Sequence, residues 1–214
     1  MGPKSYPITT LLETIRLLVD AYPEAIDIAD NLGDTPVSIL GRSGTATAID
    51  EDGMLLLHHA CRDDSFPIPA LRLIVEAFPG GMHIANNKGK TPPQLLSARA
   101  SQRDADGMLL LHHQTYSPSL TPTFLQLLFH AFPSSIASTD RRGMLPFHHA
   151  CINSRRLQTE IILMLIHFYP ESVQLKVDGN YKHFQSFRRA LQYLWRETIS
   201  LRFTILNVHR KPSY

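Results

Sequence analysis

The sequence predicts an all-α protein, an α-solenoid of helix-turn-helix units joined by protruding turns. Three recurrences point to it. The phrase "GMLLLHHACR" at 53–62 returns as "GMLLLHHQTY" at 107–116 and "GMLPFHHACI" at 143–152. An Asp or Asn stands three residues before a glycine in "DNLG", "DEDG", "NNKG", "DADG" and "DRRG". Apolar stretches end in an aromatic residue and proline: "LLVDAYP", "LIVEAFP", "LLFHAFP" and "LIHFYP". Recurrence at fixed spacing is the mark of repeat architectures.

The elements follow in order within each unit. The D-x-x-G stretch is a tight turn, and glycine tolerates the positive φ that such a turn needs. Gly33, Gly53, Gly89, Gly107, Gly143 and Gly179 lie 20, 36, 18, 36 and 36 residues apart. A short helix comes next. At Thr35-Pro36 and Thr91-Pro92 it opens with a hydroxyl cap and a proline suited to the first helical position. A loop such as "RDDSFPIP" at 62–69 leads to a longer helix with apolar i, i+3, i+4 spacing, as in Leu71, Ile74, Val75 and Phe78. Proline then stops it. The first such helix covers about 8–22, and Leu17, Leu18, Leu73, Ile74, Leu127, Leu128, Ile162 and Leu165 are expected to be buried on these second helices. The intervals of 20 and 18 leave room for one helix only. Residues 41–52 and 97–106 are therefore expected to lack a regular second helix.

Composition fits a soluble globular chain: of 214 residues, 43% are hydrophobic and 19% charged, with a formal charge of +2. The start, "MGPKSYP", has no apolar core of a signal peptide, and no apolar run reaches the roughly 20 residues of a membrane span. An intracellular, cytoplasmic location is expected. Charge is unevenly placed. Residues 180–214 hold seven Lys or Arg and one acid, a net of +6, against −4 for the rest. The expected organisation is a repeat array over 1–179 and a basic segment over 180–214.

"GDTPVSIL", "GKTPPQLL" and "GMLPFHHAC" resemble the G-x-T-P-L-H-x-A-A signature of ankyrin repeats, over roughly residues 8–179. The full unit of 36 residues departs from the family's norm of about 33. Leu55-Leu56 and Leu109-Leu110 replace Thr-Pro, and Phe-Pro or Tyr-Pro stands where the family has Gly-Ala. The resemblance implies a non-catalytic scaffold that binds another protein through its turn tips and first-helix surface. Carried over by position, the contact residues are Asn31, Asp34, Met54, Lys88, Lys90, Met108, Arg141, Arg142 and Met144, with Arg62, Asp63, Ile152 and Asn153 beside them on the helices; the alternative for the three methionines is local packing under the turn. It also implies that His58, His112 and His148 have a packing and hydrogen-bonding role near a neighbouring turn, whereas His59, His113 and His149 fall on a variable position.

Three His-His pairs raise an alternative, a histidine-dependent metal-binding protein or metalloenzyme. Adjacent residues on a helix point about 100° apart, and stacked helices sit about 8–10 Å apart, so shared coordination at about 2 Å is hard to build. No H-E-x-x-H pattern, phosphate loop, dinucleotide fingerprint or nucleophile elbow is found. No catalytic residue, metal or cofactor is assigned. Cys61 and Cys151 occupy one point of the repeated phrase and are read as small buried residues. A regulatory repeat module of a larger protein is a further alternative.

The segment "FQSFRRALQYLWRETISLRF" (184–203) places Phe184, Phe187, Leu191, Leu194, Trp195, Thr198 and Leu201 at helical spacing. It is read as a cap on the last unit, as a basic helix for an acidic membrane or nucleic acid, or as sequence foreign to the fold.

Overall fold

A computed structural model describes residues 7–152 and 159–173. These residues are helical, with α1 (Ile8–Ala21), α2 (Pro36–Arg42), α3 (Leu56–Arg62), α4 (Ile68–Ala77), α5 (Pro92–Ser101), α6 (Leu110–Gln114), α7 (Pro122–Ala131), α8 (Pro146–Ile152) and α9 (Thr159–Phe168). The only extended pairing among them is an isolated antiparallel bridge between Ile49 and Leu55. No helix of the described residues is long and apolar enough to cross a membrane.

The aromatic-Pro pairs end α1, α4 and α7 by one device. Tyr22, Phe78 and Phe132 leave the helical region at φ near −150°, as a residue before proline must. Their N–H groups still donate to Leu18, Ile74 and Leu128, so the last turn stays closed. A 3₁₀ turn led by Pro23, Pro79 or Pro133 follows each.

The chain forms two compact units, Met1–Gln102 with Thr121–Ser135, and Arg103–Leu120 with Ile136–Tyr214. The division thus falls inside the stretch read as one array; the expected boundary at 179–180 lies outside the described residues. In the first unit α2 packs on α4, α5 packs on α3 and α7, and α4 meets α7. Gly41 lets α2 approach closely, since a Cβ there would come within 3.0 Å of the Ala77 carbonyl oxygen. Leu71, Ile74, Leu96, Phe124, Leu125 and Leu127 form the core of this unit. Each such side chain contributes about 1.5–3 kcal/mol when fully buried. In the second unit α6 packs on α8 and α8 on α9, over Leu111, Phe147, Ile161 and Leu165.

One expectation needs correction. Leu73, Ile74, Leu127, Leu128, Ile162 and Leu165 are buried, but Leu17 and Leu18 are 60% and 65% exposed. In α1 only Val19 is buried, although the helix meets α3 and α4. The short stretches hold no second α-helix, as the intervals predict, although the single helix of the second one is longer than its apolar pattern. α5 runs on to Ser101, so 97–101 is helical and only 102–106 is not. Within 41–52, α2 ends at Arg42 and a 3₁₀ turn spans Thr45–Thr47.

Candidate interaction surface

Five turns share one hydrogen-bond pattern. The Oδ1 of Asp30, Asp50, Asn86, Asp104 and Asp140 accepts from the N–H groups two and four residues on, at 2.8–3.0 Å. The main chain closes each turn between the same Asx residue and the glycine N–H, at 2.8–3.1 Å. Gly33, Gly53, Gly89, Gly107 and Gly143 all have φ between +71° and +83°. The short Asx side chain thus satisfies the turn's N–H groups from within.

Neighbouring tips lean on one another inside each unit. In the first, Asn87 donates through its backbone N–H to the Asp52 carbonyl and through Nδ2 to the Glu51 carbonyl, both at 3.0 Å. In the second, the Arg141 N–H donates to the Asp106 carbonyl at 2.9 Å. There Arg103 Nη1 also donates to the carbonyls of Gly107 and Thr139, at 2.7 and 2.8 Å.

The two histidines of each pair have different work. His58 Nδ1 accepts the Leu55 N–H at 3.0 Å, and His112 Nδ1 accepts the Leu109 N–H at 3.1 Å. Each thereby caps its own helix where Leu supplies no hydroxyl. A backbone N–H can only donate, so the proton sits on Nε2, which donates to the Lys90 carbonyl at 3.1 Å and the Met144 carbonyl at 3.2 Å. The imidazole therefore ties a helix start to the next tip. His148 Nδ1 accepts the Leu145 N–H in the same way. The second histidine reaches back nine residues. Nε2 of His59, His113 and His149 meets Oδ2 of Asp50, Asp104 and Asp140 at 2.8, 2.8 and 3.0 Å. Sequence reasoning missed this role, although the D-to-second-His spacing of nine is constant in all three units.

The third pair is the most enclosed. The side chains of Asp140 and His149 are both 2% exposed. His149 Nδ1 accepts from the Tyr116 hydroxyl at 2.5 Å, and its ring stands edge-on to His112 with centroids 5.5 Å apart. Burial holds His149 below the usual imidazole range, against the pull of Asp140. Burial, aided by His149, holds His112 at about 4. Burial also opposes the Asp140 charge, but the Met144 and Arg142 N–H groups and His149 outweigh it and hold its carboxyl low. Both cysteines are buried thiols, pushed up by desolvation, Cys151 to about 12.

Of the residues carried over as contacts, Asn31, Lys88, Lys90, Arg141 and Arg142 are exposed on the tips, and Asp34 is half-buried in an ion pair with Arg42. Met54 and Met144 are buried and Met108 is half-buried. The methionines pack beneath the turn, so Met54 and Met144 are withdrawn from the contact surface. Leu32, at 86% exposure, is an outward apolar tip residue. Arg62 and Asp63 line a cleft of about 230 Å³ between α1 and α3, with Glu13, Arg16, His59 and Phe66. Ile152 is half-buried, and Asn153 lies outside the described residues. Among the described residues no three His, Cys, Asp or Glu side chains come together in a way that could hold a metal ion. No protein-family model matches the chain, and no curated protein matches it.

Proposed function

We propose that the chain is a non-catalytic protein-interaction scaffold built of ankyrin-like repeats. It binds another protein through its turn tips and the adjoining first-helix surface. One observation carries the reading: five tips of the same internal build, with turn N–H groups satisfied from within and, on four of them, charged side chains outward. Such a tip orders little on binding, so it loses little conformational freedom when a partner docks. In the first unit the tips run from Glu51 and Asp52 to Lys88 and Lys90; in the second, Arg141 and Arg142 follow Asp106. A partner of matching polarity docks in one direction, with an on-rate that falls as salt rises.

The test starts from a partner isolated from native cells. Its affinity is then measured against Arg141→Glu/Arg142→Glu and Glu51→Lys/Asp52→Lys, with circular dichroism as the check on folding. Charge reversal at a contacting tip is expected to weaken binding about tenfold or more and to flatten its salt dependence. Unchanged affinity and salt dependence in both variants would remove the tips from the reading.

A further inference from the structure

Leu17 and Leu18 sit at the same distance before the aromatic-Pro pair as Leu73 and Ile74 of α4 and Leu127 and Leu128 of α7. The α4 and α7 residues are buried, whereas the α1 residues are 60% and 65% exposed. Tyr22, also exposed, lies one turn beyond Leu18 and lengthens the strip. Exposed Glu13 and Asp20 lie three or four residues from Leu17, and Glu24 follows Tyr22. The strip is therefore apolar with an acidic rim. Residues 7–34 as a whole carry six acids and one base, a net of −5. Arg16, Arg72 and Arg42 already engage Asp20, Asp27 and Asp34, which leaves Glu13 and Glu24 for an incoming cation.

What packs on α4 and α7 is in part another helix, α2 on α4 and α5 on α7. A further sequence with apolar residues at helical spacing lies outside the described residues. Residues 184–203 carry the apolar stripe Phe184, Phe187, Leu191, Leu194 and Trp195, flanked by Arg188, Arg189, Arg196 and Arg202. We infer that this basic segment of one copy docks on the acid-rimmed apolar strip of α1 in a second copy. Charge decides which face receives it. Residues 136–173 hold four bases and three acids and offer a cation no net attraction, whereas residues 7–34 do. A contact between two different surfaces is heterologous, so it either closes, as a reciprocal dimer or a ring, or propagates head to tail.

The chain has one tryptophan, Trp195, and it lies in the docking segment, so its emission reports the contact directly. Full-length protein is studied by sedimentation and by Trp195 fluorescence over a range of concentrations and salt. The expected result is mass that grows with concentration, with a parallel blue shift of emission, both reduced by salt. In Leu17→Ser/Leu18→Ser the association weakens about tenfold or more and the blue shift is lost, while circular dichroism is unchanged because both residues are exposed. Arg188→Glu/Arg189→Glu/Arg196→Glu has the same effect from the other side, and mixing the two variants restores at most one productive pairing per molecule. Mass that stays monomeric at all concentrations overturns the inference. So does association that survives either variant, which would assign the strip to a different occupant and the tail to a different site.

Discussion

At the residue scale, one motif has several energetic values. Asp104 and Asp140 make the same turn bonds and the same contact with a histidine nine residues on. The Asp104 side chain is 37% exposed, whereas Asp140 and His149 are enclosed. Water replaces the lost partners around a truncated Asp104 but does not reach His149. Asp104→Ala is therefore expected to cost about 1 kcal/mol and Asp140→Ala about 3 kcal/mol or more, measured as urea unfolding free energies. Equal costs would show that the burial of the third pair does not matter. The tip glycines divide in the same manner. Gly53 and Gly89 share φ +71°, but a Cβ at Gly89 meets open space, while at Gly53 it runs into the Asn87 side chain. Gly89→Ala is expected to cost about 1–2 kcal/mol, the strain of a left-handed residue. Gly53→Ala adds roughly 1 kcal/mol for the displaced Asn87 hydrogen bond to Glu51. Thermal unfolding of the two variants side by side measures the difference.

At the element scale, the second helices hold the core because they are covered on more than one side. Leu127, fully buried on α7, is expected to cost about 2–5 kcal/mol when changed to Ala. Leu17→Ala, exposed on α1, is expected to stay within about 0.5 kcal/mol, although the two leucines stand at one register position. α5 supplies a second test. Its last turn, 97–101, carries buried Ala100, and Arg99 Nη1 donates to the Phe66 carbonyl at 2.8 Å. Amide exchange is expected to be slow through that turn and fast at 102–106, which is exposed. Fast exchange across 97–101 would show that α5 ends before that turn.

At the scale of the whole molecule, the buried histidines link stability to pH. His58, His112 and His149 are held neutral, each chiefly by burial and below the ordinary imidazole range. Between the unfolded value near 6.5 and the folded value of about 4 for His112, the unfolded chain binds the extra proton. Stability is therefore fully present above about pH 6.5 and falls as pH drops towards 4. Asp140, whose carboxyl is held low, acts in the same direction at the acid end, losing its contribution as it protonates. Urea midpoints across pH 4–7 are expected to fall steadily on acidification, and His112→Ala, destabilised overall, is expected to show a shallower slope. A slope unchanged in that variant would mean that His112 titrates as it does in the unfolded chain.

Much of this was legible in the sequence because it is local. A turn bonded between residues i, i+2 and i+4, a proline that ends a helix, and a glycine at positive φ are all decided within a few residues. The tips, the ends of α1, α4 and α7 and the all-helical class follow from such patterns. The second histidine's hold on its Asp was also written locally, in a spacing of nine, but it needed the turn's geometry to be recognised. The tertiary structure alone decided which apolar positions meet another helix. It buried Met54 and Met144, exposed Leu17 and Leu18, carried α5 to Ser101 and enclosed Asp140 with His149. Burial is a property of what lies on the far side of a residue, and register along one helix carries no record of whether a neighbour is there.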